Sequence, residues 1–483
     1  MIKTDFPTTK MVIVNIDNDS FFKRPSAGMT VPDLERFIDQ YAESAVTHLF
    51  LCPNGQRTSY RSKVHDAIWD PLFEGGYSDN IWAKNCRILF EAGIDPYSVW
   101  IRRCREKGIS PWLTVRMNDC HFADNLNYFR SSRFWRSHPE LWRIPHLKEC
   151  EIWSDRALNY AHSEVREFQM ALIRELLERY DVDGIELDWM RFEEHLTPGK
   201  EVEEAHFLTE FTEKTRKEIC LTEKRLGHRI QLGCRVPASP EQCRAKGYAV
   251  DQWVKEKLVD MVIPSCFYAS DEPDFSKAEW HDFLGADVPV IPSTEDGTAF
   301  YSGGPRLNKW AIDYRGFFDR MYQRGFDSFY LFNFPYSLLR SQEMRLDCLS
   351  AISEVTPEAV AMAPRRYRPG FRDDVDGRIS QHSQFPLALT DGAELNIDLG
   401  SGKSLFPVLT LGVKESLSEC RGTVELGGKS FPARFAVQQC ELEGQTHLEV
   451  ILAPEVLKPG LNRVIFRGFP QACTVQGAEL ITE

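Results

Sequence analysis

A (β/α)8 barrel followed by a C-terminal all-β sandwich is the fold class that this 483-residue sequence predicts. Three observations lead there. From about residue 10 to about residue 335, eight short β-rich runs alternate with amphipathic stretches, the pattern of parallel βα units. The spacing suits a single barrel with enlarged loops. Around residues 357–375 the texture shifts to a Pro- and Arg-rich stretch, and beyond it come short alternating runs broken by Gly and Pro.

The eight strand candidates, in order, are residues 11–17, 46–52, 111–118, 184–189, 230–235, 261–266, 288–292 and 328–333. The clearest helix runs from Ser163 to Tyr180. Its Val165, Phe168, Leu172, Ile173, Leu176 and Leu177 recur at the three-to-four spacing of a buried face, with Ser163 as the expected cap. This helix leads directly into the fourth strand. Pro357, Pro364, Pro369 and the run Arg365-Arg366-Tyr367-Arg368 read as a linker. The expected division is therefore a barrel over 1–356, a linker over 357–375 and a β-sandwich over 376–483, whose runs include 395–399, 448–452 and 463–466.

The formal charge of −13 argues against nucleic acid as a partner, because a phosphate-binding surface needs clustered positive charge. Thirteen scattered cysteines form no C-x-x-C pair and no Cys/His cluster at zinc spacing. A reducing compartment and no required metal or cofactor are the expectations. No apolar run reaches the length of a signal peptide or membrane span, so a cytoplasmic protein without a membrane partner is expected.

Within Gly184-Ile185-Glu186-Leu187-Asp188-Trp189, strand alternation puts Glu186 and Asp188 on one face and the apolar residues on the other. Two like charges this close are expensive inside a barrel. At a strand's C-terminal end, the active face of this fold, they point to chemistry. The bland reading is a structural ion-pair network. A second acid is expected on another strand end: Glu295 after the seventh strand, with Asp296 in reserve and Asp119 as a third contender.

Arg116 and Asn118 share a face of the third strand and are expected at the mouth, with Tyr268 and Asn333 as rim residues. Asp17 and Asn18 hold the matching place after strand one. The polar loop containing Asn54, Arg57, Arg61 and Lys63 is read as a possible binder of carboxylate or sulfate.

The stretch Tyr180-Asp181-Val182-Asp183-Gly184-Ile185-Glu186-Leu187-Asp188-Trp189-Met190-Arg191-Phe192 resembles the fourth-strand signature of the glycosyl-hydrolase-like barrels labelled family 10-like. Trp189 and Phe192 stand where that signature has Tyr. The same strand is also similar to that of family 18 chitinases, whose catalytic Glu falls here on Met190. A thioether cannot donate a proton, so Asp188 becomes the better candidate.

The strand-end carboxylates together with the resemblance lead to an expectation of O-glycosidic bond hydrolysis, with Asp188 and Glu295 as the carboxyl pair. Glu186, Arg116, Asn118, Asp119, Tyr268, Asn333, Asn54 and Arg57 are expected from their positions to contact an oligo- or polysaccharide. The alternative is a carbohydrate-binding protein that has lost catalysis. A lysine Schiff-base lyase is a third option, for which no strand-end lysine stands out.

Overall fold

A computed structural model describes residues 10–71, 78–150, 152–267, 275–285, 288–301, 304–335, 342–370, 383–437, 440–469 and 473–483. The barrel strands are β1 (Val12–Ile16), β2 (His48–Leu51), β3 (Ser110–Arg116), β4 (Gly184–Asp188), β5 (Gln231–Pro237), β6 (Met261–Ser265), β7 (Ser293–Thr294) and β8 (Phe329–Leu331). They form one parallel sheet in the order β6-β5-β4-β3-β2-β1-β8-β7. An isolated parallel bridge, Val262 to Val290, links its two edges into a nearly closed barrel.

The seventh strand differs from expectation. Residues 288–292 contribute only that bridge, and the named strand begins at Ser293. Pro289 and Pro292 have no N–H to donate, so the run cannot sustain a continuous ladder.

Helix Ser163–Arg179 forms, with Val165, Leu172, Ile173, Leu176 and Leu177 buried and Phe168, expected among them, only half-buried. His162 is its N-cap, and Ser163 is the first helical residue, its hydroxyl donating to Glu164 Oε2 at 3.0 Å. The helix ends at Tyr180, whose hydroxyl donates to Asp95 Oδ2 at 3.0 Å and fixes the entry into β4.

Alternation along β4 is as the sequence implies. Ile185, Leu187 and Trp189 join the large core under the outer helices. The barrel interior holds a separate, smaller core that includes Ile13, Phe50, Trp112, Met261, Ile263 and Tyr330. Phe50 and Trp112 stack with centroids 4.6 Å apart. Gly184 faces this interior, and a Cβ there would come within 2.4 Å of the Trp112 ring. The glycine of the Asp183-Gly184 motif is therefore required by packing.

The C-terminal region is two antiparallel sheets. One contains Arg365–Tyr367, Thr474–Thr482, Val408–Val413, Thr446–Ile451 and Arg434–Phe435, and the other Glu394–Leu399, Gly460–Arg467, Thr423–Leu426 and Lys429–Pro432. Leu395, Ile397, Leu409, Leu411, Val464 and Phe466 fill the space between them.

Part of the stretch read as a linker is structured: Pro357–Met362 is helical and Arg365–Tyr367 pairs with the last strand. Its arginines are held by acids distant in sequence. Arg368 lies 3.1 Å from both Asp313 and Glu479, and Arg365 lies 3.5 Å from Asp319.

Helix Ala311–Gln323 packs directly on this strand, with Gly316 at the contact. A Cβ there would fall 2.0 Å from the Arg366 carbonyl oxygen. Gly316→Ala is expected to destabilise the protein by about 1–3 kcal/mol through overpacking. A thermal melt no lower than wild type would show that the seam can shift at little cost.

Candidate active site

Inward-facing side chains stack in tiers that follow the strand register. Thr114 is opposite Glu186 in the middle tier, and Arg116, Asp188 and Arg235 share the upper one.

Glu186 is fully buried. It accepts hydrogen bonds at Oε2 from the Thr114 hydroxyl and from the Tyr330 hydroxyl, the latter at 3.1 Å. Its Oε1 has no hydrogen-bond partner among the described residues. Burial, reinforced by the neighbouring Asp188 charge, pushes the Glu186 carboxyl up to about 8. Glu186, expected to contact substrate, thus lies one tier below Asp188 and does not line the cavity above.

Its linkage to stability has a definite sign. The folded state retains a proton that the unfolded chain releases at ordinary carboxyl pH, so this contribution is full below the unfolded pKa and is lost as pH rises toward 8. Glu186→Gln removes that loss. The variant is expected to match wild type near pH 5 and to exceed it by roughly 2–4 kcal/mol at pH 8. Urea midpoints with the same separation at both pH values would contradict this.

Asp188 is 1% exposed. Its Oδ1 accepts from Arg235 Nη1 at 3.0 Å and from the Met190 backbone N–H at 3.1 Å. Arg235 is equally enclosed. Its Nε donates to Ser265 Oγ at 3.0 Å, its guanidinium lies 3.6 Å from the centroid of Phe332, and its Nη2 stands 3.8 Å from Glu295 Oε1. One guanidinium thus separates the two acids expected to form the catalytic pair.

Above this tier opens a cavity of about 520 Å³ at the C-terminal face of the barrel. Glu295 and Asn333 line it, as expected, and so do Asp17, Asp19, Asp296, Arg130, Arg191, Arg306 and His121. Phe122, Trp153, Phe192 and Phe267 supply an aromatic side. Asp188 is not among the lining residues. Tyr268 lies outside the described residues.

Four of the expected contact residues are directed elsewhere. The Asn54 amide spans β2 and β3, donating to the Arg116 carbonyl at 3.1 Å and accepting from the Arg116 N–H at 3.3 Å. Arg57 donates to the carbonyls of Phe129 and Asp70, at 2.7 and 2.5 Å. Asn118 binds Leu158 in both directions, and Arg116 is clamped between Asp17 and Asp119. Each is buried and pins backbone or a neighbouring charge, because a barrel rim must satisfy its loop carbonyls without water. Asp119 likewise faces Arg116 and His121 rather than the cavity.

Two of the cavity carboxylates, Glu295 and Asp17, stand in opposite electrostatic settings. Burial pushes Glu295 up to about 7, against the opposing pull of Arg306, Arg235 and Arg191. Burial also acts to raise Asp17, but the charges of Arg116, Arg191 and Arg130 prevail and hold it below the ordinary range. The cavity therefore carries one acid that keeps its proton up to about pH 7 and one held ionised.

Arg191 and His121 complete the Asp17 side. Arg191 Nη2 lies 2.9 Å from His121 Nε2, and His121 Nδ1 lies 2.6 Å from Asp119 Oδ1. An arginine can only donate, so Nε2 accepts and the Nδ1 proton points to Asp119. Arg191 lies just past the end of β4, within the stretch that carries the resemblance, but is not among the residues expected at the site. Arg306 and Trp153 sit on long loops and carry no sequence signal.

No family model matches the chain, and no curated protein matches it. Among solved structures it is similar to a cycloisomaltooligosaccharide glucanotransferase from Paenibacillus sp., at 9% identity and TM-score 0.37, over 98% of this chain and 57% of that one. It is similar to the PgaB (BpsB) glycoside hydrolase domain from Bordetella bronchiseptica, at 11% identity and TM-score 0.46, over 72% of this chain and 100% of that one. It is also similar to alpha-L-fucosidase isoenzyme 2 from Paenibacillus thiaminolyticus, at 10% identity and TM-score 0.43, over 74% of this chain and 51% of that one. This chain thus spans little more than half the length of the first and third, and likeness at this level says nothing of activity.

Proposed function

We propose that the protein is a glycoside hydrolase whose proton donor is Glu295. The observation that supports this reading is the divergence of two carboxyl groups on one cavity, Glu295 raised to about 7 and Asp17 held low. Glycosidic cleavage needs that pair, a protonated acid for the leaving oxygen and an ionised one to attack or to activate water. Asp17 is the ionised member in this proposal.

Asp188 acts through Arg235. By fixing the guanidinium, it holds a positive charge 3.8 Å from Glu295, where the carboxylate forms once the proton has gone. Asp188 is accordingly a positioning residue, and the direct role expected for it passes to Asp17.

The aromatic side of the cavity suits the apolar face of a pyranose ring, and Asn333 and Arg191 suit its hydroxyls. Two of the three basic groups of the Asn54 loop are engaged within the protein, Arg57 by carbonyls and Arg61 by Asp70, which weighs against an acidic or sulfated substrate there. All thirteen cysteines are unpaired, which favours a reducing, cytoplasmic setting, and no helix among the described residues is long and apolar enough to cross a membrane.

Screening the purified protein against defined oligosaccharides tests the proposal, with Asp17→Asn and Asp188→Asn beside wild type. Asp17→Asn is expected to abolish turnover, whereas Asp188→Asn leaves a measurable rate with a displaced pH profile. The reverse ranking would return the catalytic role to Asp188. Tight sugar binding with no turnover by wild type would favour the carbohydrate-binding alternative.

A further inference from the structure

A second pocket of about 310 Å³ opens beside the main cavity, and Trp153 forms part of the wall of both. It is built by the loops after β3, β4 and β5, the same face of the barrel. Trp153 is braced by two neighbouring aromatic rings. Its ring stacks on Phe267 with centroids 5.1 Å apart and meets Phe192 edge-on, also at 5.1 Å.

The walls of the second pocket are charged but internally paired. Lys246 lies 2.6 Å from Glu194 and 3.3 Å from Glu193, and Arg143 lies 2.9 Å from Glu194 and 3.2 Å from Glu201. Arg143, Lys246 and Glu193 are each more than nine-tenths buried, which fixes their donors and acceptors before any ligand arrives. With Asp155 also in the lining, acids outnumber bases by four to two.

We infer that the second pocket is a further sugar subsite, and that the substrate is a neutral oligosaccharide running from the main cavity across Trp153 into it. The inference rests on the hydrolase reading for the direction of the chain and goes beyond it in naming length and charge. Two adjoining pockets sharing one aromatic wall hold consecutive rings, with the indole face under the sugar between them. Rigid, paired carboxylates and ammonium groups bind hydroxyls well. Their excess negative charge repels a uronate or sulfate ester.

The test uses the full chain and neutral cello-, malto- and N-acetylated chito-oligosaccharides of one to six units, with oligogalacturonates as the anionic comparison. Binding is followed by calorimetry and cleavage by product analysis. Affinity is expected to rise with length to at least three units in one neutral series, and oligogalacturonates are expected to bind weakly.

Ala245→Trp, which fills the second pocket, is expected to weaken longer chains about tenfold while changing mono- and disaccharide binding less than about twofold. Length-independent affinity, equal losses for short and long chains, tighter binding of oligogalacturonates, or no binding of any neutral series overturns the inference. Length-dependent binding without cleavage leaves it standing and sinks the hydrolase reading instead.

Discussion

Glu295→Gln is expected to reduce kcat by about 10²–10⁴ on the best neutral oligosaccharide while leaving the fold and substrate affinity intact. The amide preserves the size of the side chain, and it replaces a group that burial keeps protonated up to about pH 7, so below that pH the cavity wall has no reason to rearrange. Only the transferable proton is lost. The sign of the pH dependence follows from the same residue. A general acid works in its protonated form, so wild-type turnover should fall as pH rises through about 7.

Arg306 supplies an independent check, because its guanidinium lies 3.7 Å from Glu295 Oε2 and lowers the carboxyl's affinity for its proton. Arg306→Met should move the alkaline limb to higher pH, and Asp296→Asn, which removes a neighbouring negative charge, should move it lower. A limb that stays in place in both variants would assign the titration to another group.

How far the sequence discloses this arrangement depends on the range of the interaction concerned. The barrel is legible because it rests on local periodicity. The alternation in β4 and the stripe on helix Ser163–Arg179 each lie within one segment, and both appear in the structure, with Phe168 of the stripe only half-buried. The seventh strand is less legible, since Pro289 and Pro292 interrupt the ladder without interrupting the apolar run.

The site is harder still. Strand alternation correctly turns Glu186 and Asp188 inward, but depth within the barrel depends on what lies opposite. Thr114 and Tyr330 enclose Glu186, and Arg235 covers Asp188. Those partners are 47 to 144 residues away along the chain. The same holds for Arg57, whose carbonyl acceptors at Phe129 and Asp70 turn an apparent anion receptor into a loop clamp. Residue type thus locates charge along the chain, and only tertiary pairing decides which charge remains available to a ligand.

Arg235→Met is expected to destabilise the protein by about 3–5 kcal/mol, the largest stability effect of any single change at the site. Arg235 is fully buried, and its removal leaves Asp188 as an enclosed carboxylate whose remaining side-chain hydrogen bond among the described residues is the one from the Met190 N–H. Met also forgoes the stacking over Phe332 and the bond to Ser265.

The double variant Arg235→Met with Asp188→Asn separates these causes. If the unpaired carboxylate is the main cost, neutralising it should restore more than half of the lost stability, because a buried pair removed together costs far less than one member removed alone. If packing over Phe332 dominates, the double variant should be no more stable than Arg235→Met. The same pair of variants reports on function. Without the guanidinium near Glu295 Oε1, the Glu295 proton is held more tightly, so the alkaline limb of turnover should shift upward in both. Restored stability with an unshifted limb would confine Arg235 to holding the barrel together.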